Sequence, residues 1–208
     1  IKTPATVNEA VEVFKVPNYN SEDYPKCIIM SNLISLSILH KEIREKGGAY
    51  GSGASNGENG ICAFFSYRDP KPERSYEIFE KAILAAKNGK FTDQDLKDAK
   101  IYTFSKVDKI INPANKGMLY FLRNITDDEK ALFRQRLLDV SRDDIIRMAE
   151  KYFVPQLEEG TSSRVVFGNP EKLNWEEINP MDFLSEDYFN ERIEDEKEKE
   201  IDRLAEAL

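Results

Sequence analysis

Apolar positions along this chain follow two periods, and the switches between them mark out its elements. Residues 7–16 (VNEAVEVFKV) alternate imperfectly and end at Pro17, the pattern of one or two short strands. Residues 18–24 are polar and read as a loop. Pro25 suits the first turn of a helix that runs to about Lys46 and is stopped by Gly47-Gly48. That helix is apolar nearly all round, so it is expected to be covered on most sides. Its stretch 27–39, apolar apart from Ser31, Asn32, Ser35 and Ser37, falls short of the ~20 residues that cross a membrane. Residues 49–56 and 61–68 read as strands joined by Gly57-Glu58-Asn59-Gly60, which is hairpin chemistry. Helical segments follow at 72–87, 93–110, 116–124 and 127–138, with Thr92 and Thr126 as N-caps. Ser141 opens a further helix, with Asp144 in the capping-box position and Ile145, Met148, Ala149 and Tyr152 on one face. Residues 163–168 form a last strand.

This order predicts an α+β fold, a mainly antiparallel sheet packed on one side by several helices. The predicted domain spans residues 1–170. Residues 171–208 form an extension, in which 187–208 read as a charged helix with a thin stripe of Phe189, Ile193, Ile201, Leu204 and Leu208. Such a helix either docks on the domain or meets a partner.

Composition narrows the function classes. With 208 residues, 40% hydrophobic, the chain can bury a substantial core. Residues 185–208 hold ten acidic and four basic side chains, a net −6, which leaves −2 of the total −8 for residues 1–184. The body is nearly neutral, so no basic field points to nucleic acid. Cys27 and Cys62 lie in apolar segments without CxxC spacing and read as reduced, buried thiols of a reducing compartment; a disulfide between them stays open. The first residues, IKTPA, resemble neither a signal nor a transit peptide, and without an initiator Met a processed or partial polypeptide is expected.

Several motifs fail on context. Gly53-Ala54-Ser55-Asn56-Gly57 spells GxSxG, but a strand follows it and the single histidine, His40, precedes it. The glycine-rich run 47–60 opens no helix and lacks GK[ST]. The aromatics in Phe64-Phe65-Ser66-Tyr67 are expected to pack on the helices. One histidine and two separated cysteines make a zinc site in this chain unexpected. His40, beside Leu36, Ile43 and Arg44, reads as a core or supporting histidine rather than a catalytic one.

The segment that carries chemistry is HKEIREKGGAYGSGA, residues 40–54. A helix ends in two glycines and a strand of small residues begins at once. Arg44 occupies the last helical turn and Tyr50 the second position of the predicted strand. A tight reversal can bring a guanidinium and a phenol toward one space, where they can grip a carbonyl or an oxyanion. The low bulk around Tyr50 leaves room for another backbone. The alternative is that Arg44 pairs with a surface carboxylate and Tyr50 packs at a sheet edge.

The helix–GGAYG–strand segment resembles the C-terminal half of insulinase/pitrilysin-type inverzincin metallopeptidases, in the presequence protease/falcilysin-like branch. A second stretch agrees in order and spacing: LRNITDDE at 122–129, RQRLLDVS at 134–141, Asp144-Ile145 and AEKY at 149–152. The resemblance covers about residues 6–170 and implies a domain that lacks its first element. It implies two homologous halves closing around a chamber for unfolded peptides, with zinc held by an HxxEH motif in the N-terminal half of the same polypeptide. By residue match, Arg44 and Tyr50 would bind the peptide carbonyl and stabilise the oxyanion, with Gly48 and Ala49 beside them as substrate-binding residues. This chain has no HxxEH, so by itself it is expected to be inactive. Neither nucleic acid nor membrane is an expected partner. Family members are often organellar, with the address encoded elsewhere. The alternatives are an inverzincin-like scaffold subunit without catalysis, or a binding module that uses residues 187–208.

Overall fold

The computed structural model describes residues 7–168. The imperfect alternation at the start becomes a single strand, β1 (Asn8–Lys15), which turns Asn8, Ala10, Glu12 and Phe14 inward. The predicted hairpin forms as β2 (Gly51–Asn56) and β3 (Ile61–Asp69), and β4 (Ser163–Phe167) is the fourth strand among the described residues. The order is β2-β3-β1-β4 and every pairing is antiparallel. Facing pairs such as Phe14↔Cys62 and Glu12↔Phe64 put Cys62, Phe64 and Ser66 under the helices. Phe65 and Tyr67 point the other way. The expectation that these aromatics pack on the helices therefore holds for Phe64 and fails for its neighbours, because the pleat sends alternate residues to opposite faces.

The pairs Asn8↔Asp69, Glu9↔Phe167 and Gly51↔Tyr67 gather the start of β1, the end of β4, the end of β3 and the start of β2 at one end of the sheet. On the face away from the helices, Val11, Val13 and Phe65 are half-buried, while Tyr67, Val165 and Phe167 are exposed.

The long apolar run forms one continuous helix, α1, with an α-helical part (Tyr24–Ile34) and a π-helical part (Ser35–Glu45). Its polar residues each find a use. Ser35 Oγ donates to Ser31 O (2.7 Å) and accepts the Ala54 N–H (2.7 Å). Asn32 Nδ2 donates to Thr103 Oγ1 (2.7 Å), and Ser31 Oγ lies 3.5 Å from Cys62 Sγ. From β2, Ser52 Oγ donates to Leu39 O (3.0 Å). These bonds seat the edge strand β2 on α1 and satisfy groups that burial would otherwise leave unpaired.

Among the described residues five more helices follow: α2 (Pro72–Lys87), α3 (Asp93–Val107), α4 (Met118–Arg123), α5 (Asp127–Asp139) and α6, which runs through Arg142–Met148, a π-helical Ala149–Phe153 and Val154–Glu158. Predicted segment 93–110 ends early at Val107, and 116–124 shrinks to α4 behind a 3-10 turn at Pro113–Asn115. Thr92, Thr126 and Ser141 cap their helices, each in a capping box with the acid three residues on. The core centres on Phe14, Phe64, Phe79 and Phe153, whose rings meet at 5.4–5.9 Å. Both cysteines are free and buried in it; burial raises both thiols, Cys62 to about 12. No helix among the described residues is long and apolar enough to cross a membrane. The expected helix at 187–208, the boundary at 170/171 and any element ahead of residue 7 lie outside the described residues.

Candidate functional site

The site is built on the reversal between α1 and β2. At the end of α1, Lys46 N–H bonds Lys41 O (3.1 Å), Gly48 N–H bonds Arg44 O (3.1 Å) and Ala49 N–H bonds Ile43 O (3.2 Å). The last two each reach one residue further than the bonds of a Schellman ending, so the π winding persists into the cap. Two glycines are what this path demands. A Cβ at Gly47 would stand 2.4 Å from Ile43 O, and Gly48 has φ +83°, which L side chains rarely adopt. Ala49 is buried, and Tyr50 N–H then donates to Tyr67 O (3.1 Å). Tyr50 thus sits just ahead of β2, tied to the end of β3, and is not the second residue of the strand as predicted.

The π winding also decides what His40 touches. In a regular α-helix, residue i+5 lies about 140° round from residue i. With i→i−5 bonding, positions 44 and 45 both come over 40. Arg44 Nη1 lies 3.3 Å from His40 Nε2, and His40 Nδ1 lies 3.3 Å from Glu45 Oε1. A guanidinium only donates and a carboxylate only accepts, so a neutral imidazole protonated on Nδ1 satisfies both neighbours. His40 has 45% of its side chain exposed, so it is not a core residue; of the two sequence readings, the supporting one fits its contacts.

Arg44 and Tyr50 come together. Arg44 Cζ stands 6.0 Å from the centroid of the Tyr50 ring, and Tyr50 is 65% exposed. Two residues join them: Arg68, for which the sequence raises no expectation, and Tyr67, expected to pack on the helices. Arg68 Cζ lies 5.7 Å from the Tyr50 ring and 5.6 Å from the Tyr67 ring, and the two phenol rings meet edge-on at 5.9 Å. Among the described residues neither Arg44 nor Arg68 has a carboxylate within 4.0 Å. A signal for Arg68 existed in the hairpin: with Gly51 opposite Tyr67, the next pair outward is Tyr50 and Arg68.

The N–H groups of Gly48 and Ala49, the other two expected substrate-binding residues, are bonded to Arg44 O and Ile43 O. These two residues shape the reversal and have no amide free for a ligand. The room expected along the small-residue strand is also largely filled by the chain itself. A Cβ at Gly53 would meet the Phe65 ring at 3.1 Å, and Ser35 Oγ takes the Ala54 N–H; only Gly51, beside Tyr50, has nothing within 4 Å. A groove of about 620 Å³, lined by Ile28, Leu36, His40, Ser52, Tyr102 and Lys106 among others, runs alongside.

Metal-binding chemistry does not fit here. Among the described residues there is no cluster of three or more His, Cys, Asp or Glu, and the donor His40 already sits between Glu45 and a guanidinium. What the site offers is two permanent cations and two phenols at one exposed rim, a set suited to carbonyl oxygens and anions.

The comparisons agree with this architecture. The chain is 40% identical over 149 residues to the mitochondrial presequence protease of Mus musculus, covering 72% of this chain and 14% of that protein. It is 39% identical over 181 residues to the mitochondrial presequence protease of Saccharomyces cerevisiae, covering 85% and 18%. The chain thus spans less than a fifth of the length of these relatives. In fold it is similar to the inactive peptidase domain of a zinc protease from Bordetella parapertussis (TM-score 0.66, 13% identity, 80% of this chain and 95% of that one). A protease from Helicobacter pylori is also similar (TM-score 0.63, 19% identity, 81% and 42%). Residues 3–167 match the family described as the PreP C-terminal domain, and the chain belongs to that family.

Proposed function

We propose that this chain is the part of a larger zinc metalloendopeptidase that grips the peptide from the side opposite the metal, and that by itself it cleaves nothing. Arg44 donates to the carbonyl of the bond to be cut, and the Tyr50 hydroxyl donates to the oxyanion that forms as the carbonyl is attacked. Zinc belongs to the N-terminal half of the same polypeptide, which completes a chamber for unfolded peptides. The observation that carries this reading is the pairing of an exposed phenol with a guanidinium that has no carboxylate within 4.0 Å among the described residues. The guanidinium N–H groups that His40 does not take, and the phenol hydroxyl, can be given to a substrate oxygen when water is excluded. The relatives' names support a peptidase and a mitochondrial location. Exposed apolar side chains at Ile110, Phe121 and Leu122 support a longer polypeptide that covers them.

The test uses the full-length enzyme. Tyr50→Phe and Arg44→Ala are each expected to lower kcat by about 10²–10³-fold, with folding and zinc content unchanged. Normal turnover in both variants would remove the assigned roles. The second reading, a scaffold subunit without catalysis, draws on the inactive domain among the fold neighbours. An open reading frame without HxxEH upstream of this chain would decide for it.

A further inference from the structure

We propose that Arg68 is a positioning residue of this site, a second guanidinium that fixes the Tyr50 phenol in its working direction; the inference rests on the function proposed above. The backbone at Arg68 is the first observation. Its φ is +48°, in the left-handed region that non-glycine residues occupy only at a cost of order 1–2 kcal/mol. The pairing of β1 with β3 slips at the same place. Asn8 faces Asp69 and Ala10 faces Ser66, so Tyr67 and Arg68 together oppose the single residue Glu9. This is a β-bulge with an arginine in the left-handed conformation that glycine usually supplies, and bulges re-aim side chains.

The re-aiming is visible in the burial pattern. Strand alternation would bury one of any two neighbours, yet Tyr67 and Arg68 are both exposed before Asp69 turns inward again. Asp69 anchors the bulge from behind, its carboxylate accepting from Lys71 N (2.8 Å) and its carbonyl from Asn8 Nδ2 (3.2 Å). Arg68 is thereby set against both phenol rings at 5.6–5.7 Å, and among the described residues it pairs with no acid. Tyr50 has a guanidinium on either account, Arg44 from the helix end and Arg68 from the sheet end, with Tyr67 edge-on to it. An exposed phenol on a reversal otherwise samples several rotamers; cation–ring contact and the neighbouring ring restrict them.

Arg68→Gly in the full-length peptidase separates this role from a structural one. Glycine keeps the left-handed backbone without strain, so the melting temperature is expected to hold or rise while kcat falls about tenfold and KM changes less than about twofold. Arg68→Lys keeps the charge without the planar face and should restore kcat only in part. In a Tyr50→Phe background, Arg68→Gly should cost nothing further, since the hydroxyl it orients is gone. Full kcat in Arg68→Gly, with Tyr50→Phe still impaired, overturns the positioning role and leaves the proposed function standing. A fall in melting temperature parallel to the loss of activity makes Arg68 structural and overturns it as well. So does an undiminished loss in the double variant, which would mean that Arg68 meets the substrate itself. Normal turnover in Tyr50→Phe sinks the underlying function instead.

Discussion

Glu12 carries a carboxylate onto the inner face of β1, where its side chain is fully buried and Arg164 Nε (2.9 Å) and Ser162 Oγ (2.8 Å) both bond one of its oxygens. Arg164 reaches it from β4 while lying over the Tyr76 ring, 5.2 Å from the centroid. Removing one partner of such a pair strands the other. Arg164→Met is expected to lower unfolding free energy by about 3 kcal/mol in chemical denaturation, and to cost far less in a Glu12→Leu background. An equal cost in both backgrounds would show that Arg164 acts by packing alone. Residues of this kind were hard to read in advance. Glu12 sits in a strand whose pattern predicts something apolar, and its charge becomes intelligible only with β4 alongside. Arg68 was hidden for a related reason, since a left-handed arginine in a bulge leaves no mark in hydrophobic periodicity. The approach of Arg44 to Tyr50 was legible because two glycines between them announced the reversal that joins them, while the roles expected of them rested on the family resemblance.

Helices α1 and α6 are clasped through Asp23, at the N-terminal edge of α1. Lys26 Nζ (2.7 Å), Lys151 Nζ (2.8 Å) and Tyr152 Oη (3.0 Å) all donate to its carboxylate. Burial works to raise the Asp23 pKa, but the hydrogen bonds from Lys151, Lys26 and Tyr152 outweigh it and hold the group well below the usual carboxylate range. A lowered folded-state pKa contributes stability above the unfolded value, about 3.9, and loses it as pH falls below that toward the folded value. Asp23→Asn should therefore cost about 1–2 kcal/mol at pH 7, with the gap to wild type closing below about pH 4 in acid-unfolding curves. A gap independent of pH would deny Asp23 its charge role. At this scale the sequence was a good guide. Three capping boxes, the hairpin turn and the helix stops are local chemistry, written in adjacent residues. The π winding of Ser35–Glu45 was not predictable, because it answers to the seat of β2 on Ser35 and Leu39 rather than to any local preference.

Across the whole molecule, apolar surface is spread unevenly. The connection after α3 and helix α4 expose Ile110, Ile111, Phe121 and Leu122, at 94%, 62%, 83% and 66%. If a longer polypeptide covers this shelf, Phe121→Asp should leave residues 7–168 alone within about 0.5 kcal/mol of wild type and destabilise the full-length protein by 1 kcal/mol or more, read as a shift in melting temperature. Equal small effects in both would move the covering contact to another face. The one-ended arrangement of the strands has a mechanical consequence. Polypeptide joined ahead of β1 enters two strand spacings, about 10 Å, from the strand that follows Tyr50. A body leashed there pivots close to the phenol: its far side sweeps a wide arc while the attachment scarcely shifts. On the function proposed above, in which that body is the zinc-holding half, its swing would admit a long peptide without carrying the two arginines away from their station.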